Sequence, residues 1–313
     1  MRKALWALAG AAVLAAGVFT VQRGLYGWNA LARRGGSFWI EASRDDPRVS
    51  AAARAGMAGA RAEPGDVVWT ERAPGFETAE MTIRLDDAQD RMRLARIDPS
   101  RWRFSVHSRP AGDRGVEDWR AALGAALIVN GSYFDQRGAP DTPLVAGGAL
   151  LGPTHYMATH GAFVADDKGA HLVDLKDRDW RAALAGVRDG FVSYPMLIGA
   201  NGSGRATPSR WVSARSFVGQ DDSGRMIVGT TEDAGLTLDG LSDLLRRAPL
   251  GLKLALNLDG GPLACQAVAL GAFGRSHCGS GEFQVEGARV SMLRPGFEHK
   301  GWGLPIVLAV TAR

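Results

Sequence analysis

Cysteine is almost missing from this chain: Cys265 and Cys278 are the only two among 313 residues. A single pair cannot supply a four-ligand zinc site. Histidine offers no substitute, because His155 and His160 are five apart with no carboxylate placed between them as in the helical zinc motif. No glycine-flanked serine sits at a strand-to-helix elbow, which argues against a Ser-His-Asp hydrolase. The loop Asn201-Gly202-Ser203-Gly204-Arg205 has turn chemistry but not the spacing of a phosphate loop. The main body lacks a basic stripe with interleaved aromatics, and the net charge is only +4. Nucleic acid is therefore not an expected partner. There is no repeat of 20 to 50 residues either.

What is present fits a soluble globular body, with 46% hydrophobic and 22% charged residues. The 41 glycines predict many turns and short strands. Arg2-Lys3 precede an uncharged run from Ala4 to Val21, closed by Gln22-Arg23. A positive end followed by about 18 apolar residues reads as an export signal at the border between signal peptide and spanning helix. The small-x-small site Ala30-Leu31-Ala32 lies well past that run, which favours an uncleaved anchor with the body outside. The expected location is the periplasmic side of the inner membrane, or the periplasm or exterior if the segment is cleaved. In an oxidising compartment the simplest reading of Cys265 and Cys278 is one disulfide, worth roughly 3 kcal/mol in the chain-entropy model. Two unrelated buried thiols are the alternative, and a Cys265–His277 nucleophile would compete with the disulfide.

Three segments are expected: 1–22 as signal or anchor, 23–64 as a linker or loosely packed lead-in, and 65–313 as the globular domain. Alternating or apolar runs predict strands at Thr78 to Leu85, Met92 to Ile97, Trp102 to His107, Ala125 to Val129, Ala214 to Gly219, Met226 to Gly229 and Ile306 to Val310. A hairpin is expected across Asp166-Asp167-Lys168-Gly169. Short helices are expected at Gly115 to Leu123, around Trp180 to Ala185, and after a Thr237 N-cap, where leucines 238, 241, 244 and 245 share one face. The fold class is α+β: a mixed, largely antiparallel β-sheet core with a few flanking helices.

Two strand ends share one arrangement. Leu252 to Leu258 runs into Asp259-Gly260-Gly261, and Ala125 to Val129 runs into Asn130-Gly131-Ser132-Tyr133-Phe134-Asp135. Each is an apolar strand followed by Asn, Gly and Asp in a turn. The first is expected at the mouth of a sheet edge, where the glycines leave room for a ligand. With Ala214-Arg215-Ser216-Phe217-Val218-Gly219 and Gly235-Leu236-Thr237-Leu238, these stretches resemble, in order, the motifs of the phosphodiester glycosidase family. The resemblance spans roughly Met92 to the C-terminus.

The resemblance implies hydrolysis of a sugar-1-phosphodiester at the anomeric C–O bond, with a carbohydrate phosphodiester as substrate. Arg215 would hold the phosphoryl charge. Asp259 would support the oxocarbenium-like sugar as nucleophile or electrostatic stabiliser, and Asp135 would position or deprotonate water. Asn130, Gly131, Tyr133, Asn257, Gly260 and Gly261 would bind substrate. No cofactor is expected and no ligand spacing demands a metal, although Asp135 and Asp259 could share a hard cation. The chain departs from the family at Pro262-Leu263-Ala264-Cys265, where small or hydroxyl residues are common. Pro262 brings no N–H donor. That departure leaves a second reading open, a non-catalytic glycan-binding or envelope polysaccharide-assembly protein on the same scaffold.

Overall fold

The computed structural model describes residues 6, 8–20, 37–233, 235–295 and 302–313. The Ala30-Leu31-Ala32 site, the charges at Arg2, Lys3 and Arg23, and Gln22 lie outside the described residues. Residues 8–20 are helical, with Leu8, Val13, Leu14 and Val18 exposed. Among the described residues, no helix is long and apolar enough to cross a membrane.

Strands dominate, in four sheets. The largest holds eight strands, and its main path runs Met196–Ile198, Leu252–Asn257, Ser216–Asp221, Met226–Thr231, Ala88–Ile97, Phe76–Leu85 and Ala62–Pro64. A five-stranded sheet orders Phe273–Cys278, Cys265–Leu270, Leu127–Asn130, Ile306–Ala312 and Trp102–Ser108. A four-stranded sheet joins Ser37–Ala42, Arg289–Pro295, Glu282–Glu286 and Trp211–Ser213. The last, five-stranded, contains the expected hairpin, Gly161–Asp166 with Gly169–Asp174. Every strand pairing among the described residues is antiparallel. The core is therefore antiparallel rather than mixed, with few helices, as hairpins and short connections favour.

The strands follow their side-chain pattern. In Phe76–Leu85, Phe76, Met81, Ile83 and Leu85 are buried while Glu80, Thr82 and Arg84 face out, the period of a half-buried strand. Leu127–Asn130 and Met226–Thr231 are buried at every position, because sheets pack on both their faces. Phe104, Leu127, Phe163, Phe191, Leu256 and Leu308 draw three sheets into one core cluster. Helix Leu238–Arg247 starts at Thr237, whose hydroxyl accepts the Gly240 N–H. It buries Leu241, Leu244 and Leu245 against Ile83, Phe217 and Ala255. Each such leucine contributes about 1.5–3 kcal/mol of transfer free energy.

The stretch 37–64 departs from the expectation of a loosely packed lead-in. Ser37–Ala42 pairs with Arg289–Pro295, helix Ala51–Met57 buries Ala52, Ala53 and Met57, and Ala62–Pro64 pairs with Phe76–Leu85. Sequence periodicity misses these elements because alanine carries the packing.

Candidate active site

The strand Leu252–Asn257 is not at a sheet edge: it pairs with Ser216–Asp221 on one side and Met196–Ile198 on the other. Its continuation, Leu258-Asp259-Gly260, crosses to the neighbouring five-stranded sheet. There the Asp259 N–H donates to the Gly131 carbonyl at 3.0 Å. The Asp259 carbonyl accepts from Asn130 Nδ2 at 2.7 Å. The other end of that amide, Asn130 Oδ1, accepts the Cys265 N–H at 3.2 Å. Both strand ends singled out by sequence thus meet, one holding the other. The Gly260 N–H turns back to Asp259 Oδ1 at 2.8 Å, and the Gly261 N–H donates to the Ala214 carbonyl at 2.8 Å. Gly261 has φ +68°, and a Cβ there would stand 3.0 Å from Glu282 Oε2. Only glycine combines that backbone with that approach.

Arg215 lies beside this turn and is 5% exposed. Its Nε donates to the Leu236 carbonyl at 3.0 Å and its Nη2 to the Trp211 carbonyl at 2.7 Å. These bonds fix the guanidinium plane with carbonyls rather than carboxylates. Nη1 has no hydrogen-bond partner among the described residues, and it would sit 3.4 Å from a Cβ built at Gly260. Glu282 is opposite Ser213 in the register of Glu282–Glu286 with Trp211–Ser213, so a third sheet supplies a carboxylate to the same point.

Burial governs the charges. Asp259 is pushed up to about 7, by burial first and then by the Glu282 carboxylate; the Gly260 N–H and Arg215 pull the other way. Burial also raises Glu282, opposed by Arg215. Arg215 is lowered by burial, against the favourable fields of Glu282, Tyr133 and Asp259. Two carboxyl groups around one guanidinium are thus both held above their ordinary range, each raising the other's cost of ionisation.

An aromatic wall completes the site. The Tyr133 hydroxyl accepts from Asn257 Nδ2 at 2.7 Å, and Tyr133 stacks on Tyr194 with centroids 4.4 Å apart and planes at 25°. Burial and the Asp259 charge raise the Tyr133 hydroxyl. Tyr194 is pushed up to about 12, by burial first, with Tyr156, Asp141 and Asp259 adding to the effect.

The structure brings Asp259, Arg215, Tyr133, Asn257, Gly260 and Gly261 together, and it revises three expectations. Asp135 is exposed, and its Oδ1 accepts the Arg137 and Ala139 N–H groups at 2.7 and 3.0 Å. It closes a turn, and the second carboxylate beside Asp259 is Glu282. Asn130 spends both ends of its amide on backbone and so positions Asp259 rather than binding substrate. Gly131 is buried under the strand Ile306–Ala312, where a Cβ would come within 2.3 Å of Ile306 Cγ2, so its role is close packing. Cys265 and Cys278 form the expected disulfide, as directly opposed residues of a hairpin. A surface cleft of about 840 Å³ between the turns at Asp98, Asp166 and Arg225 contains none of these residues. Arg225 there is already paired with Asp221 and Glu77.

Sequence reasoning missed Glu282 and Tyr194. Only the Tyr194-Pro195 step carried a local signal, as a turn. Glu282 is placed by pairing between distant strands, which no short motif records.

The sequence profile described as phosphodiester glycosidase matches residues 123–283, a span that holds Asn130, Arg215, Asp259 and Glu282. No curated protein matches the chain by sequence. Among solved structures, the chain is similar to the catalytic domain of zebrafish N-acetylglucosamine-1-phosphodiester alpha-N-acetylglucosaminidase, auto-inhibited by its pro-peptide. The TM-score is 0.53 at 18% identity, over 81% of this chain and 89% of that one. A hypothetical protein from Synechocystis also matches, with TM-score 0.48 and 14% identity over 79% of this chain and 64% of that one. The profile match covers just over half of the chain, and by it the protein belongs to the phosphodiester glycosidase family.

Proposed function

We propose that this protein is an exported hydrolase that cleaves the anomeric C–O bond of a sugar-1-phosphodiester. Family membership supports the glycosidase chemistry. The observation that carries the reading is the unengaged Nη1 of buried Arg215, held beside the Asp259–Glu282 pair.

The parts suit the reaction. A phosphodiester oxygen meets Arg215 Nη1, which is oriented in advance by the Leu236 and Trp211 carbonyls and so needs little reorganisation. As the C1–O bond breaks, its electron pair goes to the phosphate oxygen, whose negative charge Arg215 holds. Positive charge grows on the sugar ring, and the ionised member of the carboxyl pair stabilises it. Water adds at C1 and gives up a proton to that carboxylate, while the protonated member hydrogen-bonds the leaving oxygen. The products are the free sugar and a phosphomonoester. Tyr133 and Tyr194 present ring area against which a sugar packs.

The location outside the cytoplasm is part of the same proposal. The basic start with its apolar run supports it, as does the Cys265–Cys278 disulfide.

Hydrolysis of a synthetic sugar-1-phosphodiester in ¹⁸O-labelled water tests the reading. Label in the sugar and none in the phosphate is expected, with activity lost in Glu282→Gln. Label in the phosphate would refute C–O cleavage. Tight binding across several sugars without turnover would favour a glycan-binding protein instead.

A further inference from the structure

Asp90 is the most isolated carboxyl group in the body. It lies on the strand Ala88–Ile97 and is 5% exposed. Its Oδ1 accepts two backbone N–H groups, from Arg91 at 2.6 Å and Asp233 at 2.8 Å. Its Oδ2 has no partner among the described residues. No cation offsets it, because the neighbouring Arg91 and Arg93 pair with Glu80 and Glu232. A buried carboxyl in this state is expensive to keep, and its removal would leave the Arg91 and Asp233 N–H groups without their acceptor.

What it grips explains its presence. Thr231, Glu232 and Leu236 each touch the candidate site. The buried Thr231 hydroxyl accepts the Arg215 N–H at 2.9 Å and donates to the Asp233 carbonyl at 3.2 Å. The Glu232 carbonyl accepts the Ser280 N–H at 3.0 Å, two residues before Glu282. The Leu236 carbonyl accepts from Arg215 Nε. The Asp90 bond holds the Asp233 N–H, and the Asp233 carbonyl in turn accepts from Thr231.

We propose that Asp90 is a positioning residue for Arg215 and Glu282, acting through Thr231, Glu232 and Asp233. The inference rests on the reading of those two residues as site groups. Burial pushes Asp90 up to about 7, helped by the Asp233 and Glu232 carboxylates, so its neutral form is populated at physiological pH. An amide can then imitate it.

The test uses the full chain, well below its melting temperature. Asp90→Ala removes the acceptor for the Asp233 N–H, and Asp90→Asn retains it. Amide hydrogen exchange at Arg215, Asp233 and Ser280 is expected to quicken by about tenfold or more in Asp90→Ala and to stay near the parent rate in Asp90→Asn. The kcat/KM on a sugar-1-phosphodiester, per mole of folded protein, should fall by about 10- to 100-fold in the first variant and recover in the second. If Asp90→Ala does not fold, Asp90→Ser, too short to reach the Asp233 N–H, replaces it. Unchanged exchange at Arg215 and Ser280 overturns the inference. Parental kinetics in Asp90→Ala alongside a loss in Arg215→Ala overturns it too. Quickened exchange with no turnover even by the unaltered protein leaves the coupling standing and removes the hydrolase reading instead.

Discussion

A guanidinium in the interior stays ionised only while other charges or hydrogen bonds compensate its lost hydration. Arg215 obtains that compensation from two carbonyls and from the fields of Glu282 and Asp259, without a carboxylate bonded to Nη1. Lysine carries its donors on a single nitrogen and cannot reproduce the planar spread by which Nε and Nη2 reach the two carbonyls while Nη1 faces a ligand. Arg215→Lys should therefore lose about 10²–10³-fold in kcat/KM, close to the loss in Arg215→Ala, as steady-state assays on a sugar-1-phosphodiester would show. Asp259 has a price in stability. Its carboxyl ionises near 3.8 in an exposed setting and near 7 in the folded chain. Between those values the folded state holds more protons, so stability is greatest below the lower value and is lost as pH rises through the upper one. Asp259→Asn should accordingly gain about 1–3 kcal/mol at pH 7–8 while activity is lost, and the gain should vanish toward pH 4. Thermal melts across that range decide it; a gain independent of pH would refute the desolvation account. At this scale the sequence showed Asp259 and Arg215 through local motifs. It misled at Asp135, because an Asp after Asn and Gly looks the same whether it faces a ligand or closes a turn.

Between residues and the whole lie the strand ends. The hairpin of Cys265–Leu270 with Phe273–Cys278 is closed by its disulfide, and Asn130 bonds the Cys265 N–H at the start of it. Reduction, or Cys265→Ser with Cys278→Ser, should remove about 3 kcal/mol and lower the melting temperature by roughly 6–12 °C, since a domain of this size loses about 2–4 °C per kcal/mol. Gly131→Ala would force a Cβ against Ile306 and should destabilise by about 1–3 kcal/mol, with kcat/KM falling as the Asp259 N–H loses its acceptor. Pro262 fits its place: Gly261–Leu263 is a single 3₁₀ turn with proline in its first residues, where no N–H is needed. The neighbouring amides of Gly260 and Gly261 are already engaged internally, so a donor for phosphate falls to Arg215. About half of the described strands, and the helices Val116–Leu123, Trp180–Leu184 and Leu238–Arg247, could be read from period and caps to within a few residues. Glu282 could not, because its strand acquires meaning only by pairing with Trp211–Ser213, about seventy residues earlier in the chain.

Four sheets and few helices leave the molecule dependent on its first described strand. Residues 37–64 add one strand to each of two sheets and a helix whose Ala52 and Ala53 are buried. Removal of residues 1–36 should leave a folded, active body, whereas removal of 1–64 should abolish cooperative melting, as calorimetry of the two truncations would show. The antiparallel core was foreseeable from hairpin spacing, and the packed lead-in was not, since alanine-rich stretches carry no hydrophobic period.

The grip of Asn130 and Gly131 on both the N–H and the carbonyl of Asp259 also bears on how such a site diversifies. A residue fastened at both backbone groups by another sheet has no freedom to drift, and each of its fasteners is fixed in turn by Ile306 or Cys265. New substrate preferences would accumulate elsewhere, in the turns bearing Tyr133 and Tyr194, whose stacked rings stand beside the same carboxylate. A library built to change which sugar this protein accepts belongs in those turns, and one aimed at the glycine pair would yield mostly unfolded chains.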